Sequence, residues 1–147
     1  WMLPNNIGFN DWVNKTFHEY KLSESIMTDT DSFMKESDTL FPHQMFIREF
    51  MRPGSPYRGL YVYHGLGSGK TRTSIVMSEQ FRALGYNVVF ISPAALSSNM
   101  VDELGKWGNE DVKNIVDPKE RRKYLKKFYN FVSHDYQALQ SYDLVDP

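Results

Sequence analysis

The sequence predicts an α/β fold: a parallel sheet with flanking helices, preceded by an N-terminal helical extension. Three observations predict it. Short runs of β-branched and aromatic residues recur at 60–63 (Leu60, Tyr61, Val62, Tyr63), 86–92 and 128–132, each the length of a strand. Between them lie stretches with apolar residues at helical spacing. The middle run, through Val88, Val89, Phe90 and Ile91 to Ser92, is almost continuously apolar, as parallel strands covered on both faces are. Alternating strands and helices imply right-handed βαβ units, with ligands beyond the carboxyl ends of the strands.

At 147 residues the chain has the size of one domain. Apolar residues are 41% and aromatics 15%, which argues against overall disorder. A net charge of −1 leaves no global electrostatic case for nucleic acid, so any such contact must be local. The absence of cysteine excludes disulfides and thiolate metal sites. No apolar run approaches the roughly 18 residues of a membrane span. The start, Trp1, Met2, Leu3 and Pro4, has neither the basic region nor the apolar core of a signal peptide. No membrane partner is expected, and the expected location is intracellular. A Trp ahead of the Met suggests a start inside a larger protein.

The elements follow in order. Asn10 is placed to cap a helix to about Tyr20, with Phe9, Val13 and Phe17 four apart on one apolar face. That face is expected to pack on the rest of the chain. Residues 21–39 are rich in Ser, Thr, Asp and Glu and read as a linker, so 1–39 form an extension and 40–147 the α/β part. Leu40, Phe41, Pro42, His43 and Gln44 open a second helix, with Pro42 in its first turn, and Pro53 and Gly54 end it. After residues 60–63 comes a helix whose apolar face carries Met77, Phe81 and Leu84, with Ile75 and Val76 beside them, stopped by Gly85. Pro93 breaks the second strand, and a helix from about Leu96 to Trp107 follows. Lys119, Arg121, Arg122, Lys123, Lys126 and Lys127 form the one strongly basic run. It reads first as the solvated face of a helix that buries Tyr124, Leu125 and Phe128, and second as a nucleic-acid contact.

The chemistry concentrates in His64, Gly65, Leu66, Gly67, Ser68, Gly69, Lys70 and Thr71, a glycine-rich turn between a predicted strand and a predicted helix. Glycines let successive N–H groups curl around an anion, and a helix start aims its free N–H groups at the same place. Lys70 adds a mobile cation for β and γ phosphates, and Thr71 offers a hydroxyl to Mg²⁺. The full fingerprint G-x-x-x-x-G-K-[ST] fails at its first position, where His64 stands; the shorter Gly67-x-Gly69-Lys70-Thr71 is intact. His64 reads mainly as a strand-end residue in the missing glycine's place. His18 and His43 have no ligand constellation around them, so a metal site of their own is not expected.

With these residues in place, the chain resembles superfamily 2 helicases and translocases, at the start of their first RecA-like domain, over about residues 40–140. Leu40 to Gln44 resembles the family's upstream glutamine motif, and residues 67–71 match its motif I. Ser92, Pro93, Ala94, Ala95 and Leu96, continuing through Trp107, look like motif Ia of the Swi/Snf-type branch. Ser133, His134, Asp135 and Tyr136 stand where motif Ib does. The wording at Phe41–Gln44, 55–59 and 63–65 is closer still to helicases of nucleocytoplasmic large DNA viruses, including the poxvirus nucleoside triphosphatase and early-transcription-factor group. The resemblance implies a RecA-like P-loop domain binding ATP and Mg²⁺ through Gln44, His64, Gly65, Leu66, Gly67, Ser68, Gly69, Lys70, Thr71 and Arg72. Lys70 and Thr71 serve phosphoryl transfer, and the Gln44 amide reads the adenine edge. It implies that Ser92, Pro93, Ser97, Ser98, Ser133 and His134 hold a DNA or RNA backbone. Further implied partners are a second RecA-like domain and viral RNA polymerase, and the implied setting is the virion or a cytoplasmic viral factory. No apolar strand ending in Asp-Glu follows motif Ib, and the stretch from Asp143 to Asp146 does not supply one. The 147-residue chain is therefore expected to bind nucleotide without turning it over efficiently. Two other readings stand beside this one: a P-loop kinase or other NTPase that moves no nucleic acid, and a non-catalytic module that docks on RNA polymerase through its N-terminal helix.

Overall fold

The computed structural model describes residues 1–21, 39–65 and 67–133. Most of the expected linker, Leu66, His134 and the stretch from Asp143 to Asp146 lie outside the described residues. The chain divides into two compact units, Trp1–Thr73 and Ser74–Pro147.

The first unit is held by aromatic side chains. Helix α1 spans Phe9–Thr16 and is followed by a 3-10 turn at His18–Tyr20. The cap is Gly8 and not Asn10: Gly8 sits at φ 86° and has no side chain to offer. Its left-handed backbone reverses the chain, and its carbonyl accepts from the N–H of Trp12 at 2.9 Å. Helix α2 spans Pro42–Phe50, and Phe17 meets Phe46 and Phe50 with ring centroids 5.3 and 5.8 Å away. The apolar face after α1 thus packs on the chain itself. Phe50 stacks on Tyr57 at 4.2 Å, and the Tyr57 hydroxyl donates to the Met2 carbonyl at 2.6 Å.

One predicted strand is absent. Residues 60–63 form no strand, and Tyr61 and Tyr63 are 88% and 86% exposed. A strand exists by hydrogen bonding to a neighbour, and no described segment pairs with this one. High β-propensity without a partner leaves exposed, unpaired chain.

In the second unit, β1 (Val88–Ser92) and β2 (Tyr129–Ser133) pair in parallel, with Val88 opposite Tyr129 and Ser92 opposite Ser133. Helix α3 (Lys70–Arg82) enters it. Then α4 (Ser97–Trp107), α5 (Glu110–Lys113) and α6 (Pro118–Leu125) form the crossover between the strands. Ile75, Val101, Leu104, Val112, Leu125 and Tyr129 make the core, with Phe90 and Phe131 packed against it. β1 is only half-buried and Ile91 is exposed, so the expected cover on both faces is incomplete. α4 begins as predicted, after Pro93 and a 3-10 turn at Ala94–Leu96.

The buried face of α3 differs from the apolar face predicted for it. Ile75 is buried, but with Ser78, Glu79 and Arg82, while Leu84 is exposed. Glu79 and Arg82 are buried because they neutralise each other. Arg82 Nε and Nη2 donate to the two Glu79 carboxylate oxygens at 2.6 and 2.9 Å, and its Nη1 and Nη2 reach Asp111 at 2.8 Å each. The Tyr129 hydroxyl donates to Glu79, and the Asn109 N–H does so at 2.7 Å. Every charge has a fixed partner, which is the condition for burying one.

Candidate functional site

The glycine-rich turn lies in the first unit and leads into α3 at Lys70. Gly67 and Gly69 take φ of 78° and 79°, a region that costs an L-residue roughly 1–2 kcal/mol. Both glycines are therefore required by the backbone path. Ser68 Oγ donates back to the Gly65 carbonyl at 2.8 Å, which tightens the turn.

Two side chains at the start of α2 hold this turn by consecutive carbonyls. His43 Nε2 lies 3.1 Å from the Ser68 carbonyl; a carbonyl only accepts, so Nε2 carries the proton. Gln44 Nε2 donates to the Gly69 carbonyl at 3.4 Å, and its Oε1 accepts from the Phe41 N–H at 3.1 Å. Gln44 is 1% exposed. The Gly69 carbonyl also accepts from Thr73 N–H at 2.9 Å and Thr73 Oγ1 at 3.1 Å. With these two carbonyls tied back, the first turn of α3 is held in place under the loop.

Lys70 is exposed, and its ammonium donates to the carbonyls of Gly65 at 3.0 Å and His64 at 3.4 Å. It is an exposed cation bonded to the carbonyls of the turn. The His64 ring meets that of His43 edge-on, centroids 5.1 Å apart, and its Nδ1 is buried with no hydrogen-bond partner. Burial first, and then His43 and Lys70, hold the His64 imidazole below its ordinary pKa, in the neutral form. Thr71 and Arg72 follow on α3. Among the described residues no group of three or more His, Cys, Asp or Glu is placed to hold a metal ion.

The structure brings Gln44, His64, Gly65, Gly67, Ser68, Gly69 and Lys70 together. The predicted backbone-binding residues lie in the second unit. Ser92 and Ser133 end parallel strands in register, so these two corners share one sheet edge. Ser97 Oγ donates to the Ala94 carbonyl at 2.9 Å, and Pro93 and Ser98 are exposed. Sequence reading missed His43 as a holder of the loop, although its place beside Gln44 was the available signal. It also missed the Glu79–Arg82–Asp111 cluster, of which only the i, i+3 spacing of Glu79 and Arg82 is local. Among the described residues no helix is long and apolar enough to cross a membrane.

Curated proteins give the comparison that the geometry needs. Over 115 residues the chain is 30% identical to a candidate ATP-dependent RNA helicase of Acanthamoeba polyphaga mimivirus, covering 78% of this chain and 19% of that protein. A second candidate ATP-dependent RNA helicase of the same virus is 30% identical over 108 residues, 70% of this chain and 13% of its own length. The termination factor NPH-I homolog of African swine fever virus is 30% identical over 132 residues, 84% of this chain and 18% of its own length. The chain thus spans a fifth or less of these relatives. No family model matches, and no solved structure does. By sequence, the chain is related to the superfamily 2 type helicases of nucleocytoplasmic large DNA viruses.

Proposed function

We propose that this chain is the ATP-binding segment of an ATP-dependent nucleic-acid helicase or translocase of viral type, built on a RecA-like P-loop domain and acting in transcription or genome handling. The observation that supports the reading is the geometry of the glycine-rich turn: two left-handed glycines at 67 and 69, a helix starting at Lys70, and loop carbonyls tied back by His43 and Gln44. In this reading the loop N–H groups and the α3 N-terminus receive the β phosphate. The Lys70 ammonium moves from the Gly65 carbonyl onto the β and γ oxygens. Thr71 would offer its hydroxyl to the Mg²⁺ that the nucleotide brings. Gln44 first fixes the loop; its amide is buried there, and the one N–H and one lone pair it keeps would meet an adenine edge only after the loop shifts. Ser92, Ser97, Ser98 and Ser133 offer hydroxyls to a strand backbone, those of Ser92 and Ser97 by turning from the Pro93 and Ala94 carbonyls, while Pro93 shapes the corner; such contacts position without reading bases.

The test is Lys70→Ala. Lys70 touches loop carbonyls and no core, so folding is retained while ATP binding by calorimetry weakens at least about tenfold, as loss of a charge-assisted contact predicts. Equal ATP binding by variant and parent refutes the assignment.

A further inference from the structure

The basic run at 119–127 is ordered along one side of a helix. Asp117 caps α6, accepting from the N–H groups of Lys119 and Glu120 at 2.7 and 3.3 Å. Leu125 is buried in the core, Tyr124 donates to Asp111 at 2.7 Å, and Arg121 is turned onto the Ile115 carbonyl at 3.0 and 2.7 Å. That fixes which side faces water. Lys119, Arg122, Lys123 and Lys126 fall at i, i+3, i+4 and i+7 and are all exposed, and Lys127 follows, its ammonium 5.6 Å from the Tyr124 ring centroid.

Some exposed cations elsewhere have a carboxylate one turn away, Lys106 with Glu103 at 2.8 Å and Arg52 with Glu49 at 3.8 Å. Among the described residues, none of Lys119, Arg122, Lys123, Lys126 and Lys127 is in an ion pair. Like charges three and four apart destabilise a helix by a few tenths of a kcal/mol per pair. The helix dipole favours Arg122, Lys123 and Lys126 near the carboxyl end, but opposes Lys119 in the first turn. Folding alone therefore does not account for the arrangement.

We propose that the Lys119–Arg122–Lys123–Lys126 side of α6 is an interaction surface for the phosphodiester backbone of a nucleic acid, separate from the Ser92 and Ser133 corner. A row of flexible cations neutralises successive phosphates and reads no bases. A membrane surface fits poorly, because interfacial helices bury apolar side chains beside their cations, and the apolar side chains of α6 are spent on the core. The surface sits in a chain of net charge −1, so its attraction is local and salt-sensitive. The inference names a further contact for the partner in the proposed function, but its test is independent of nucleotide.

The experiment is fluorescence anisotropy of the whole chain with a labelled mixed-sequence single-stranded oligonucleotide, between about 50 and 200 mM salt. The variant K119E/K123E is compared with K15E/K106E, which changes net charge equally at exposed positions elsewhere. Thermal melts show that both are folded. The expected result is binding at least about tenfold weaker for K119E/K123E, with a log–log salt slope shallower by about 1.4, two contacts at roughly 0.7 each, while K15E/K106E stays within about twofold of the parent. Parent-like binding by K119E/K123E overturns the proposal. So does equal weakening of both variants, or a parent that binds phosphatidylserine vesicles and no oligonucleotide. ATP binding measured on the same samples separates the two readings: its loss in the parent refutes the proposed function and leaves the α6 result standing.

Discussion

The place that a methyl group would take on Gly69 is already filled by Gln44, whose Nε2 would lie 2.6 Å from it. Gly67 has the same left-handed backbone but open space around it. The two glycines therefore fail differently. Gly67→Ala carries the backbone strain alone, roughly 1–2 kcal/mol. Gly69→Ala adds displacement of a buried amide and should cost more, in stability by urea titration and in ATP affinity. Removing the obstacle in Gly69→Ala/Gln44→Ala should recover part of that excess, and no recovery from the same cycle at Gly67 is expected. A pair that combines additively would show that Gln44 does not set the loop.

Gln44 itself has two duties that separate by substitution. Gln44→Ala removes the acceptor that Gln44 offers the Phe41 N–H and one of the donors to the Gly69 carbonyl, an expected loss of about 1–3 kcal/mol. If the spare N–H and lone pair also read adenine, the same change narrows preference for ATP over GTP. Competition of the two nucleotides on the folded variant is the measurement. An unchanged ratio with reduced stability leaves Gln44 as a loop holder only.

His64 gives a pH dependence with a definite sign. Its folded pKa lies below its ordinary value of 6.5, so the unfolded chain binds more protons as pH falls. Its contribution to stability is complete above about pH 6.5, declines as pH drops toward the folded pKa, and is constant below it. Thermal melts from pH 7.5 to 5 should fall more steeply for the parent than for His64→Gln. Parallel curves would refute it. Asp111, held down by Arg82 and then Tyr124, has the same sign, but acts only below its ordinary 3.8, outside that window.

The glycine-rich turn was legible because its requirements are local: positive φ calls for glycine at 67 and 69, and the Lys-Thr pair follows at fixed spacing. α2, α4, β1 and β2 were legible for the same reason, through Pro42, Pro93 and the apolar run at Val88 to Ile91. Residues 60–63 misled because strand propensity describes what a segment does beside a partner, and none of the described residues provides one. The face of α3 misled because hydrophobic spacing assumes that charges point outward. Glu79 and Arg82 point inward, and the reason lies at Asp111 and Tyr129, distant in sequence and invisible to any window.

Arg82 is where that cluster is most exposed to test. Its side chain is 6% exposed and that of Glu79 is 5%, so the pair is buried, while Asp111 at 40% is not. Arg82→Met keeps the stem and removes the charge, which leaves Glu79 buried with hydrogen bonds from Tyr129 and Asn109 but without its counter-charge. Breaking a buried pair costs about 3–5 kcal/mol; the partly exposed Asp111 adds little, since solvent screens it. Glu79→Gln/Arg82→Met removes both charges and should be less destabilised than Arg82→Met alone, because no uncompensated charge then remains. Urea titrations of parent, both single variants and the double variant give the cycle. A double variant no more stable than Arg82→Met would mean that the cost comes from lost packing around Phe128, over which the guanidinium lies at 5.4 Å, and not from the charge left behind.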